Sequence, residues 1–134
     1  MTGPARALLD TSVFIAHESG RALDGDQLPA EASLSVVTLA ELQAGVLAAA
    51  DTASRARRLA TLEAVADIEV HPIDVPVAAE WAQLRALLAE DGRRVNVNDL
   101  WIAATAVALR LPVVTQDADF DPLDGMAGLL VVRV

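Results

Sequence analysis

The apolar residues of this chain fall into two kinds of run that alternate along it. The short, nearly continuous kind comprises Ala7-Leu8-Leu9, Leu34-Ser35-Val36-Val37, Ile68 to Ile73, Leu111-Pro112-Val113-Val114 and Leu129-Leu130-Val131-Val132. Runs this short and this continuously apolar predict strands buried on both faces. Between them lie longer stretches that predict helices. One begins near Thr11 and ends at His17-Glu18-Ser19-Gly20. A second opens at Thr38-Leu39-Ala40-Glu41 and runs toward Ala50, and a third spans about Thr52 to Val65 with Leu59, Leu62 and Val65 at spacings of three. A fourth starts at Val75-Pro76 and stops near Asp91-Gly92, and a fifth is capped by Asn98 and runs through Ile102, Ala103 and Ala106 to Leu109. Alternation of strand and helix with continuously apolar strands predicts an α/β fold whose parallel sheet is covered on both faces.

Local punctuation supports these boundaries. Gly20 suits the left-handed position after a helix, Pro76 the first helical turn, and Pro112 the first position of a strand. Arg21 to Ala32 reads as a connection, Arg93-Arg94-Val95-Asn96-Val97 as a basic one, and Thr115 to Leu123 as an acidic, turn-rich loop.

Composition narrows the picture. A chain of 134 residues fits one domain, residues 1–134, burying about 68% of the surface it exposes when unfolded. With no cysteine, disulfides, thiolate metal sites and cysteine catalysis are excluded. The start, Met1-Thr2-Gly3-Pro4-Ala5-Arg6, lacks the apolar core of a secretory leader, and no apolar run approaches the ~18 residues that span a bilayer. The expectation is a cytoplasmic protein with no membrane partner. The net charge of −9 argues against broad, non-specific nucleic-acid binding, and every basic side chain apart from two histidines is an arginine.

The candidate chemistry lies where the strands end. Asp10 follows the first strand directly, and Glu41, Asp99 and Asp117 fall at comparable strand-to-helix junctions. Each has an ordinary explanation. Asp10 can begin a helix, Thr38-x-x-Glu41 fits a capping box, Asp99 suits a helix dipole, and Asp117 and Asp119 suit Asx turns. Together they resist those explanations, because a parallel sheet gathers all four at its carboxyl edge, where ligands bind. Two carboxylates ~5 Å apart repel by roughly 3 kcal/mol at an effective dielectric of about 20. Such a set calls for a cation or for raised pKa values, and oxygen ligands alone select a hard ion, Mg²⁺ or Mn²⁺. Aspartate-based phosphoryl chemistry also wants a lysine, absent here, and the phosphatase pattern wants an Asp where Ser12 stands. Histidine-based ribonuclease chemistry would have to use His17 and His71, which read as surface or core residues. No GxxxxGK[ST] loop is present.

Four motifs carry a family likeness: Leu8-Leu9-Asp10-Thr11-Ser12, Val37-Thr38-Leu39-Ala40-Glu41-Leu42, Asn98-Asp99-Leu100-Trp101-Ile102-Ala103-Ala104-Thr105-Ala106, and Val114-Thr115-Gln116-Asp117-Ala118-Asp119-Phe120. In this order and at this spacing the chain resembles PIN-domain ribonucleases and, within them, the VapC toxins of bacterial toxin–antitoxin pairs. The resemblance implies a PIN-like three-layer α/β/α sandwich around a mostly parallel five-stranded sheet. It places Asp10, Glu41, Asp99 and Asp117 as the catalytic quartet, with Asp10, Asp99 and Asp117 holding Mg²⁺, or Mn²⁺ as a substitute. Thr11, Ser12 and Thr115 match hydroxyls that order the metal site, and Asp119 matches a variable position that is a ligand, an outer group or neither.

The implied function is a Mg²⁺-dependent endoribonuclease toxin that cleaves cellular RNA with metal-activated water and is neutralised by a VapB-like antitoxin. The implied assembly is a homodimer within a toxin–antitoxin hetero-oligomer. Alternatives are a PIN-type RNA-processing nuclease outside such systems and a non-catalytic PIN-like protein-binding module. Arg93 and Arg94 are the first candidates for RNA phosphate contact, against a plain solvated loop, and the Arg55-Arg57-Arg58 group is a second. Trp81 and Trp101 read as core or dimer-interface residues rather than base-stacking platforms.

Overall fold

The computed structural model describes residues 3–134; the reading of the N-terminal start rests in part on Met1 and Thr2, which lie outside them. The elements run β1 (Arg6–Leu9), α1 (Thr11–Glu18), β2 (Glu31–Ser35), α2 (Val36–Leu47), α3 (Thr52–Ala64), β3 (Glu69–His71), α4 (Val75–Glu90), α5 (Val97–Leu109), β4 (Val113–Thr115) and β5 (Val131–Arg133). Short 3-10 turns stand at Gly25–Gln27, Ala118–Leu123 and Met126–Gly128. The strands form one sheet in the order β3-β2-β1-β4-β5 with every pairing parallel.

Alternation along the strands explains the layers. In β1, Leu8 joins Leu84 and Leu88 of α4 and Ile102, Ala103 and Ala106 of α5, while Ala7 and Leu9 face the other way and pack with Val13 of α1. Its neighbour β4 repeats the division, Val113 going to the α4–α5 side and Val114 to the α1 side. Leu34 of β2 meets Leu42 of α2 and Val65, just past α3, in a third cluster. Alanines along α5 let that helix lie close on the sheet, and Ile102, Ala103, Ala104 and Ala106 are all fully buried. Trp81 of α4 and Trp101 of α5 stack with ring centroids 4.8 Å apart, under the Arg85 guanidinium at 5.4 Å. Among the described residues no helix is long and apolar enough to cross a membrane.

Several boundaries differ from the hydrophobic pattern, two of them because a polar side chain caps a helix. The second strand is Glu31–Ser35, not Leu34 to Val37, because Ser35 accepts from Val37 N at 3.1 Å and starts α2 there. Asn96, not Asn98, caps α5, accepting from Asn98 N at 2.9 Å. The fourth and fifth strands start two residues later than their apolar runs, after Leu111-Pro112 and Leu129-Leu130. Gly20 does take the left-handed conformation after α1, with φ +72°, and Pro76 does sit in the first turn of α4.

Candidate active site

The chain builds one side of the sheet from β1 through β2 to β3, then crosses to add β4 and β5 on the other side. The gap between β1 and β4 is therefore the topological switch point, where a parallel sheet opens a crevice at its carboxyl edge. Asp10 ends β1 on one side of this gap, and Thr115-Gln116-Asp117 ends β4 on the other.

Asp10 is nearly fully buried, with 2% of its surface exposed. It caps α1 as expected, accepting from Ser12 N at 3.3 Å, and the same Oδ2 accepts from Ser12 Oγ at 2.6 Å and Thr115 Oγ1 at 2.9 Å. Burial raises its pKa above 3.8, and the bonds from Ser12 and Thr115 oppose that rise. These two hydroxyls are themselves fixed: Gln116 N donates to Ser12 Oγ at 3.0 Å and Asp117 N to Thr115 Oγ1 at 2.9 Å.

Glu41 belongs to a separate branch. Thr11 Oγ1 donates to its Oε1 at 2.7 Å, and Asn98 Nδ2 to its Oε2 at 3.4 Å. The capping-box reading of Thr38 and Glu41 fails, since Ser35 is the cap and Thr38 is buried within the helix with its hydroxyl 3.0 Å from that of Thr11.

Asp99 sits in the first turn of α5, half-buried, where a helix dipole should lower its pKa. Instead its carboxyl is pushed from 3.8 up to about 7, first by burial and then by the charges of Asp10, Asp117, Glu41 and Asp119. The charges of four other carboxylates thus reach this one group. Asp117 stands at the cap position of the Ala118–Leu123 turn without making a side-chain capping bond, so the Asx-turn explanation does not use its carboxylate. Asp119 is exposed in that turn.

Arg93 and Arg94 are exposed on the connection between α4 and α5 and belong to neither hydrogen-bonded branch. His17 is exposed, and His71 is half-buried in β3 beside Glu69 at 3.3 Å; neither enters the acidic set. Sequence reasoning missed Thr38 and Gln116 and gave Asn98 the wrong duty. Gln116 lashes the site to distant chain, its Nε2 donating to Ala22 O at 3.0 Å and Val134 O at 2.8 Å. Its only signal in the sequence was a place next to Asp117.

The donor set bears on which ion fits. It is all oxygen, and among the described residues no three His, Cys, Asp or Glu side chains are gathered closely enough to hold an ion as they stand. An open, mutually repelling group of carboxylates suits a small hard cation that keeps some of its own water, as Mg²⁺ does, better than one stripped of water by a closed shell.

A family model described as PIN domain matches residues 7–126 of the chain. The chain is 60% identical to Ribonuclease VapC5 of Mycobacterium tuberculosis over 133 residues, covering 99% of this chain and 98% of that one. It is 47% identical to Ribonuclease VapC4 of the same organism over 116 residues, 86% of this chain and 88% of that one. Among solved structures it superposes with a TM-score of 0.92, at 57% identity, on VapBC-5 of Mycobacterium tuberculosis, a member of the VapBC family of toxin–antitoxin systems. The match covers 98% of this chain and 100% of the other.

Proposed function

Since the chain belongs to the PIN-domain family and, within it, to the VapC ribonuclease toxins, we propose that it is a Mg²⁺-dependent endoribonuclease that cuts cellular RNA by hydrolysis. The observation that carries the metal dependence is the Asp99 carboxyl, held near pKa 7 by burial and by four neighbouring carboxylates at the carboxyl edge of the sheet. Such a set is stable as anions only with a counter-charge.

Asp10, Asp99 and Asp117 would hold the ion, with the charge of Asp119 acting on Asp99 from the following turn. Bound Mg²⁺ supplies a lowered water pKa and neutralises charge building on the phosphate. Asp10 is pinned by Ser12 and Thr115, so it needs little reorganisation to act. Glu41, pinned separately by Thr11, orients the attacking water. Water oxygen bonds to phosphorus as the P–O3′ bond breaks, and the departing 3′-oxygen takes a proton. The products are a 5′-phosphate and a 3′-hydroxyl, because neither histidine stands with the acids to activate a ribose 2′-OH.

The relatives support two further parts of the reading. VapC5 is named as a ribonuclease, and VapBC-5 as a toxin–antitoxin system. The proposed partners are RNA, a VapB-like antitoxin and a second copy of the chain. The test is cleavage of total cellular RNA by the purified, antitoxin-free chain with Mg²⁺, Mn²⁺ or EDTA, beside Asp10→Asn. Discrete fragments with 5′-phosphate ends, lost in EDTA and in the variant, are expected. A 2′,3′-cyclic phosphate end would reject the mechanism, and a folded protein that cleaves nothing with either metal would leave a binding module.

A further inference from the structure

Glu41 is gripped from two helices other than its own. Thr11 at the start of α1 donates to Oε1 at 2.7 Å, and Asn98 in the first turn of α5 donates to Oε2 at 3.4 Å. Behind Thr11 stands Thr38, its hydroxyl 3.0 Å away. Thr11 has one hydroxyl proton, and it points between two acceptors, Glu41 Oε1 at 2.7 Å and Thr38 Oγ1 at 3.0 Å. The carboxylate is the stronger acceptor and the closer one. Thr38, accepting from the other side, fixes the direction in which the Thr11 hydroxyl turns.

Neither Thr38 nor Asn98 has a local duty that would explain it. Ser35 caps α2 and Asn96 caps α5, so neither side chain is needed at a helix end. Thr38 is fully buried, and a valine of nearly the same shape would fill its place without burying a hydroxyl.

We propose that Thr38 and Asn98 are positioning residues of the nuclease, which hold Glu41 beside Asp99 so that it orients water instead of moving in as a ligand. This rests on the nuclease reading above. Each Glu41 oxygen, having accepted one bond from the protein, keeps a free lone pair for water. Thr38 acts only through Thr11, and Asn98 acts directly on the carboxylate. The pair ties the first turns of α1, α2 and α5 to one side chain.

The test compares Asn98→Ala, Thr38→Val and Thr38→Ser with wild type on RNA that wild type cleaves, and with Thr105→Val as a control. Thr105 is a buried hydroxyl of α5 that donates to Trp101 O at 2.8 Å and touches none of the acids' hydrogen bonds. Asn98→Ala and Thr38→Val should each lower kcat about tenfold or more with KM for RNA unchanged, and Thr38→Ser should restore most of it. Thr105→Val should lower the melting temperature without lowering kcat. A second readout omits RNA: the rise in melting temperature caused by Mg²⁺ should match wild type in Asn98→Ala and Thr38→Val, since neither changes a ligand. Unchanged kcat in both variants overturns the proposal, as does loss of the Mg²⁺-induced rise, which would make these residues part of ion binding. Absence of metal-dependent cleavage in wild type itself overturns the nuclease reading, and this inference with it.

Discussion

Asp10 and Asp99 lie at the same edge of one sheet, and burial raises the pKa of both, yet the chain surrounds them differently. Asp10 is the more deeply buried, and three donors from Ser12 and Thr115 converge on one of its oxygens. Asp99 is only half-buried but faces four like charges, and its carboxyl rises to about 7. The difference lies in what each carboxylate is anchored to. Asp10 is anchored by hydrogen bonds made for its charge. Asp99 is anchored by α5, whose buried Ile102, Ala103, Ala104 and Ala106 fix the helix on the sheet whatever its first turn must endure. One acid is held by donors, and the other has its carboxyl pushed up by burial and by like charges.

The sharpest way to break this comparison is to neutralise each acid in turn. Asp10→Asn and Asp99→Asn should both lower RNA cleavage by about a thousandfold or more, beyond the roughly 10- to 100-fold that outer partners are worth. The stabilities of Asp99→Asn and of a truncation, Asp10→Ala, should diverge. Asp99→Asn relieves repulsion and should raise the melting temperature of the metal-free protein at pH 8 by roughly 3 °C or more. Asp10→Ala, which removes a cap and an acceptor for buried donors, should lower it. Melting curves that move in the same direction for both would remove the distinction.

Next in size is the support beneath Asp10. Thr115→Val takes a donor from Asp10 and strands Asp117 N, so it should destabilise the fold by about 1–3 kcal/mol and lower activity about 10- to 100-fold. Chemical denaturation and steady-state cleavage measure the two separately.

A smaller effect is the pH dependence. Because folding raises the Asp99 pKa from 3.8 to about 7, the folded chain holds this proton more tightly than the unfolded chain across that interval. Its contribution to stability is therefore fully present below about pH 4 and is lost as pH rises through about 7. The raised pKa of Asp10 acts with the same sign. The melting temperature of metal-free protein should fall over this range, the slope should flatten in Asp99→Asn, and Mg²⁺ added at pH 8 should recover much of the loss. A profile unaltered by Asp99→Asn would place the strain elsewhere.

The smallest effect concerns the exposed arginines outside both branches. Arg93→Ala with Arg94→Ala should weaken RNA binding severalfold and reduce the salt slope of log affinity by up to about two, leaving the melting temperature unchanged. An unaltered slope would move the phosphate contact away from this connection.

The sequence alone was enough for the alternation of strand and helix, for the parallel sheet, and for the family that its motifs point to. Each of these depends on short-range pattern: apolar period, a cap residue, a carboxylate directly after a strand. Even the boundary errors were local, since Val36 and Val37 extend an apolar run that only the Ser35 cap interrupts. What lay outside that pattern was the support of each acid. Thr115 reaches Asp10 across 105 positions of chain, Thr11 reaches Glu41 across 30, and Asn98 reaches Glu41 across 57. Hydroxyl and amide groups are common and carry no periodicity, so nothing near them in sequence says which carboxylate they serve. Their partners are decided only when the sheet sets β1 against β4 and the first turns of α1, α2 and α5 against one another, because a hydrogen bond acts over ~3 Å of space and is indifferent to distance along the chain.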